Sequence, residues 1–502
     1  MIKNVIQYLE LSAETTPDHI AIVDRNSSIT FRQLRDRSRQ VANTIIKQTG
    51  KRQNTPIAVM MPKTIESVVA YLAIVYSGNF YVPIDMSSPK ERVDKILEVL
   101  QPEYCIVIDY INLLSENLQI SIKDCIDEQF DSIEINNILA RKIDTDPLYV
   151  LFTSGSTGIP KGVIISHKSV IDYVEWLTDF FGFDNSAVFG NQAPFHFDNS
   201  ILDIYTTLKN GSTMVIIPEE LFLFPKKLLK YMADKAINTI FWVPSALTLV
   251  TKAKREYFIN EGLKLSKILF CGEVMPVKTL NFWRVMFPEA LFVNLYGPTE
   301  ITDVCCCYVV NREFKDEESL PIGFPCNNTD IFLLNQNDKL VTGNDEEGEL
   351  CVRGTCLAYG YFSDQERTNQ VFVRNPLNDK YEEKIYRTGD IAKYNESGEL
   401  IYIGRKDFQI KHMGYRIELG EIEAVAGAID ELNEVCCIYN DIKKEIVLVC
   451  TCNEKVDEKY IYSNLAGKLP KYMLPSLIKV LKELPHTSNC KIDRKQIKQQ
   501  FS

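Results

Sequence analysis

The sequence predicts an α/β plus α+β protein: a large N-terminal region of layered α/β sheets with a small β-barrel-like part, followed by a small α+β region. Three observations predict it. As far as about residue 300, strand-like apolar runs alternate with amphipathic helical runs of about a dozen residues, the pattern of parallel layers. From about 320 the runs shorten and are broken by Gly and Asn-Asp turns (DIFLLNQNDKLV, GELCVRG, YRTGDIAKYNESGELIYIGR), which reads as an antiparallel sheet or small barrel. Beyond Arg405 the chain turns rich in Lys and Glu. The expected division is therefore 1–404 and 405–502.

The elements follow in order. An amphipathic helix opens the chain, the hairpin-like AIVDRNSSITF comes next, and a helix over 32–48 precedes a strand over 57–60. A helix over 64–76 leads to the strand-like 78–85. A polar stretch over 110–145 carries no strong period and runs into the apolar strand 148–152. Helices near 171–181 and ending at 209 precede strands at 213–217 and 238–243. After FCGEVMP a helix leads to LFVNLYGPTE, read as a strand ending at Glu300. The run Cys305-Cys306-Cys307 reads as buried strand, where cysteine behaves as a small apolar residue. The last region holds a helix over 419–429, a strand over 445–451 and a helix over 459–469. No solenoid period is present.

At 502 residues the chain is too long for one core. A composition of 45% hydrophobic and 25% charged residues is that of a folded globular protein. With 56 Lys and Arg against 67 Asp and Glu the formal charge is −11, which argues against nucleic acid or an anionic membrane as the main partner. The fourteen cysteines form no CxxC pair and the five histidines are scattered, so neither a disulfide scaffold nor a structural zinc site is expected. The opening residues lack a secretory apolar segment, and no run of eighteen apolar residues occurs. The expectation is a cytoplasmic protein with reduced thiols and no membrane insertion.

The most informative stretch is LFTSGSTGIPKGV at 151–163. An apolar strand runs into Thr153, Ser154, Gly155, Ser156, Thr157 and Gly158, then Pro160 and Lys161. Glycines let successive N–H groups converge, hydroxyls add donors, and the lysine adds a compact positive charge, so the loop suits a polyphosphate. It is not the GxxxxGK[ST] loop, because glycine follows Lys161. A bare GSTG is as readily a flexible turn; the strand before it and PKG after it favour the anion cradle.

TSGSTGIPKG at 153–162, FDNS at 197–200, NLYGPTE at 294–300, YRTGD at 386–390, GRKDFQIKHMGYRIELGEIE at 404–423, LPKYMLP at 469–475 and NCKIDR at 489–494 together resemble the adenylate-forming enzymes, in order and spacing. That family includes nonribosomal peptide adenylation domains, acyl-CoA synthetases and luciferases. The resemblance implies activation of a carboxylate by ATP with Mg²⁺, then transfer to the phosphopantetheine thiol of a carrier protein supplied in trans, by a monomer. Such chemistry brings anions together, so positioning and electrostatics dominate. By resemblance, Thr153 to Gly158 and Lys161 hold the β- and γ-phosphates. Asn294, Leu295, Tyr296 and Gly297 border the adenine, with Tyr296 stacking on it. Thr299 contacts the phosphate and Glu300 binds Mg²⁺. Asp390 accepts from the ribose hydroxyls with Arg405 in support. Lys491 bridges the carboxylate and the α-phosphate, and Cys490 stands where the family has glycine. Asp407 is the hinge that brings the segment around Gly414 to the site. Standing alone, Asp390 reads as a turn residue, Glu300 as a helix-start acid and Lys491 as solvated surface.

Asp198 in FDNS, by the same resemblance, pairs with a substrate ammonium group, which points to an amino acid. The implied pocket is Asn199, Leu202, Ser245, Leu269, Cys271, Gly272, Leu295, Asp303 and Val304, with His196 at its entrance. NQAPFHFDNSILDIY, LFCGEVMP and SLPIGFP are especially close to the branch that loads D-alanine on a carrier protein. Asp303 leaves a second alternative open, a polar or basic amino acid, since a buried acid wants a donor or cation. An acyl-CoA ligase and a non-catalytic nucleotide-binding regulator are the remaining alternatives.

Overall fold

A computed structural model describes residues 1–502 except 26, 126–131, 156–158, 261, 317, 345, 453–455, 487–491 and 502. The chain folds as two compact units. One comprises Met1–Ile84, Gln101–Leu151 and Val163–Lys406; the other comprises Asp85–Leu100, Phe152–Gly162 and Asp407–Ser502.

The first unit is built on two large sheets. In the nine-stranded sheet, Ile20–Val23, Thr213–Ile216, Val188–Asn191, Thr239–Trp242, Lys267–Phe270 and Leu291–Tyr296 lie side by side in parallel. Antiparallel strands close both edges, Ser28–Thr30 on one side, Cys306–Val309 and then Phe324–Pro325 on the other. The seven-stranded sheet has a parallel run through Gln119–Ser121, Tyr104–Val107, Pro56–Val59, Phe80–Pro83 and Pro147–Thr153. Of the two forms left open for 330–405, a sheet forms: five antiparallel strands, with Lys384–Tyr394 pairing to three neighbours.

Local chemistry sets the helix ends. Phe31–Thr49 starts at a reciprocal Thr30–Gln33 capping box and stops at left-handed Gly50. His167–Phe181 begins one turn earlier than its apolar period predicts, because Ser166 caps the Ser169 N–H. Ile65–Tyr76 is apolar nearly all round and is accordingly buried on all faces. Among the helices outside the sequence reading are Lys90–Leu100, Ser132–Arg141 inside the polar stretch, and Pro225–Asp234. The strand expected to reach Glu300 stops at Tyr296, and a 3₁₀ turn over Thr299–Ile301 follows. At Gly297 the chain runs so close to the Asp303 carbonyl that a Cβ would collide with it. Cys305 and Cys306 are fully buried, as expected of a strand there, and all cysteines among the described residues are free thiols.

The second unit has its own core of Ile417, Ile422, Leu448, Ile461, Leu465 and Met473. Its elements are a three-stranded sheet, the hairpin Gln409–His412 with Tyr415–Glu418, and the helices Leu419–Gly427, Glu458–Ala466 and Arg494–Phe501. Met413 and Gly414 form the hairpin turn, both at positive φ (53° and 82°), the conformation for which glycine is suited. Asp407 opens this part of the chain and accepts from the Gln409 N–H at 3.2 Å.

Candidate active site

In parallel sheets, ligands collect beyond the carboxyl ends of the strands. Four neighbouring strands of the nine-stranded sheet end at Asn191, Trp242, Phe270 and Tyr296. Most of the expected site residues of the first unit lie just past those ends: His196, Asp198 and Asn199; Ser245; Cys271 and Gly272; Gly297, Thr299 and Glu300. Leu269 and Leu295 are the penultimate residues of their strands, fully or almost fully buried.

Asp198 caps the helix Asn199–Asn210, its Oδ1 accepting from the Asn199 N–H at 3.0 Å. Its Oδ2 accepts from Thr299 Oγ1 at 2.6 Å. His196 packs its ring against Phe197, centroids 4.6 Å apart. Leu202, on the same helix, is fully buried. Ser245 is held by Glu273, whose carboxylate accepts from both the Ser245 N–H, at 2.8 Å, and its hydroxyl.

Next to Asp198, Glu300 is fully buried and its Oε1 accepts from Tyr361 Oη at 2.7 Å. Tyr361 is a site residue that motif reading missed. Thr302 and Asp303 both adopt positive φ, 62° and 73°, which costs on the order of 1 kcal/mol apiece and is typical of functional turns. Asp303 is buried, and its carboxylate accepts from Tyr173 Oη at 2.7 Å. A protein hydroxyl thus supplies one donor to this acid. Burial, then Asp303, drives the Tyr173 hydroxyl well above its ordinary pKa, so it remains a donor. Val304 and Cys271 are buried as well.

A second constellation lies where Lys384–Tyr394 pairs with Leu400–Arg405. Asp390 stands directly across from Arg405, and the guanidinium donates to its Oδ1 at 2.7 Å. The Tyr296 hydroxyl donates to the other oxygen, Oδ2. Asn294 is buried, its amide donating to the Pro321 carbonyl at 2.7 Å, which ties the strand to the 319–325 segment. The acid reads as a poised acceptor pair, with Tyr296 orienting it.

The glycine-rich loop belongs to the second unit. Ser154 is buried; its hydroxyl donates to the Arg416 carbonyl at 2.8 Å and accepts from the Glu418 N–H at 3.2 Å. The Gly155 N–H donates to Glu421 Oε2 at 3.3 Å, and Lys161 Nζ is 3.9 Å from Glu418 Oε1. Thr153 Oγ1 reaches the Lys161 carbonyl at 3.5 Å. Ser156, Thr157, Gly158 and Lys491 lie outside the described residues. Arg92 and Glu421, a buried ion pair, were missed by motif reading because they sit 329 residues apart.

As to what could be held here, Glu300 is a single buried carboxylate beside a turn. Mg²⁺ is usually bound by one or two carboxylates together with substrate phosphates, so the residue fits. Among the described residues no cluster of three or more His, Cys, Asp or Glu forms a metal cage. No helix among them is long and apolar enough to cross a membrane.

Comparison with known proteins returns a family model described as AMP-binding enzyme over residues 9–362. D-alanine–D-alanyl carrier protein ligase of Bacillus licheniformis is 32% identical over 510 residues, covering 99% of both chains. Tyrocidine synthase 1 of Brevibacillus parabrevis is 31% identical over 99% of this chain, which spans 45% of that much longer protein. Among solved structures, PA1221, an NRPS protein containing adenylation and PCP domains, superposes with a TM-score of 0.84 at 24% identity, over 100% of this chain and 97% of that one. IdnL1 gives a TM-score of 0.84 at 23% identity, over 97% and 99%. At such identities these two structures speak for the fold.

Proposed function

This chain belongs to the AMP-binding enzymes, and from that membership we propose that it activates an amino acid with ATP and passes it to the thiol of a carrier protein. In the first step a carboxylate oxygen of the amino acid bonds to the α-phosphorus and pyrophosphate leaves. In the second, the phosphopantetheine sulfur bonds to the acyl carbon, AMP leaves and the thiol proton passes to solvent. The observation that carries the amino-acid reading is the pairing of Asp198 with Thr299 at 2.6 Å. It fixes a carboxylate, suited to an ammonium group, one residue from Glu300, the acid suited to Mg²⁺.

Within this reading Asp390 would accept from the ribose, Glu300 would hold Mg²⁺, whose chemistry is charge neutralisation, and Lys161 and the Gly155 N–H would serve the polyphosphate. Lys491 neutralises the reacting carboxylate and α-phosphate, and Asp407 serves as the hinge between the two steps. The likeness to a D-alanine ligase along the whole chain makes D-alanine the first substrate to test. The test is amino acid-dependent ATP–pyrophosphate exchange with D and L forms, on the native chain, Lys491→Ala and Asp198→Asn. We expect exchange with an amino acid and a loss of at least about a hundredfold in both variants. Exchange with fatty acids alone, or an undiminished Lys491→Ala, overturns the reading.

A further inference from the structure

Two donors among the described residues of the 153–162 loop face carboxylates. Gly155 N–H donates to Glu421 Oε2 at 3.3 Å, and Lys161 lies 3.9 Å from Glu418 Oε1. Glu421 is 2% exposed and sits on the helix Leu419–Gly427; its second oxygen takes the guanidinium of Arg92, itself buried. The Ser154 hydroxyl locks the same loop to the hairpin backbone through Arg416 O and Glu418 N.

A purely structural ion pair would need only Arg92. Glu421 instead divides its two oxygens between a cation and a backbone N–H of the one loop whose composition is made for anions. We propose that Glu421 is a built-in surrogate for the polyphosphate: it holds Gly155 when no phosphate does, and pyrophosphate and the Glu421 carboxylate compete for the loop. This rests on the reading of 153–162 as the polyphosphate loop. Glu421 is a positioning residue, acting on the reaction through the loop. Two anions cannot share one donor within a few ångströms without strong repulsion in a buried setting. Departure of pyrophosphate after the first step therefore leaves the loop to Glu421, and rebinding must displace it. Arg92 keeps the displaced carboxylate paired, so the exchange is reversible and does not strand a buried charge. Burial raises the Glu421 carboxyl above its usual range, with Arg92 and the Gly155 N–H opposing. Both opposing partners favour the ionised form that competition requires.

The experiment titrates inorganic pyrophosphate into the full chain by calorimetry, on the native protein, Glu421→Gln and Glu421→Asp, with circular dichroism confirming folding. Glu421→Gln removes the competing charge and frees Arg92, which attracts pyrophosphate on its own account. Glu421→Asp keeps the charge and the Arg92 pair but is one methylene short of Gly155, so it separates the two effects and also decides the matter where Glu421→Gln fails to fold. We expect both variants to bind pyrophosphate more tightly, Glu421→Gln by about tenfold, and to show the same fall in pyrophosphate KM during exchange with little change in kcat. Native affinity in Glu421→Asp overturns the inference. Absence of pyrophosphate binding in all three proteins overturns the reading of the loop, and the inference with it.

Discussion

Asp203 lies five residues beyond Asp198 on the helix Asn199–Asn210 and is wholly buried. Its Oδ2 accepts from Asn191 Nδ2 at 2.8 Å, while Oδ1 has no partner among the described residues. Burial pushes its carboxyl from 3.8 up to about 7, with Asn191 and Lys63 opposing. The sign of the consequence follows. Below pH ~4 the group is protonated in both folded and unfolded chains. Between about 4 and 7 the unfolded chain ionises while the folded one does not, so stability is lost as pH rises; above 7 both are ionised and the slope ends. A rise of about three pH units corresponds to roughly 4 kcal/mol. Asp203→Asn keeps the shape and the bond from Asn191 and removes the charge. The chain's three tryptophans, Trp176, Trp242 and Trp283, all lie in the first unit, so urea denaturation followed by tryptophan fluorescence reads that unit. The variant should match the native chain near pH 4 and exceed it progressively, by roughly 4 kcal/mol at pH 8. A stability difference independent of pH, or a variant less stable at pH 8, refutes the reasoning.

Tyr361→Phe removes the hydroxyl that donates to buried Glu300, a bond to a charged group worth about 2 kcal/mol; magnesium titration of the exchange reaction should show a raised Mg²⁺ requirement, and an unchanged one refutes the orienting role. Arg405→Ala leaves the buried Asp390 carboxylate with the Tyr296 hydroxyl but no cation; the first unit should lose about 3 kcal/mol and the ATP KM should rise, whereas a drop in stability with the KM untouched would confine the pair to a structural role. Among the described cysteines Cys452 is half-buried and the others are buried; brief alkylation of the native chain followed by peptide mapping should label it ahead of the fully buried Cys305 and Cys306.

What the sequence disclosed was whatever depends on near neighbours. Alternating periods located the parallel strands, and the positions just past their ends, Asp198, Cys271, Gly297 and Glu300, followed from motifs because a loop at a strand end is written in consecutive residues. The helices Lys90–Leu100 and Ser132–Arg141 escaped because polar residues cover their solvent faces and only a few positions, such as Val93, Ile96, Ile135 and Ile138, are buried. The strand Leu291–Tyr296 was read too long because Gly297 is required by the approach of Asp303, a contact that no local pattern records.

The same limit explains the partners. Tyr173 and Asp303 are 130 residues apart, Gly155 and Glu421 are 266 apart, and each pair meets only because separate elements converge. In each case a motif supplied one member and its surroundings changed the meaning. Asp303 alone left a polar or basic substrate open; in the fold its carboxylate has a hydroxyl donor in Tyr173. Gly155 belongs to a loop read as an anion cradle; in the fold its N–H donates to the Glu421 carboxylate. The two pairings have one physical origin. A buried charge or donor is costly to leave without a partner, so a folded chain supplies one from wherever the topology permits, and the sequence around the motif carries no trace of where that is.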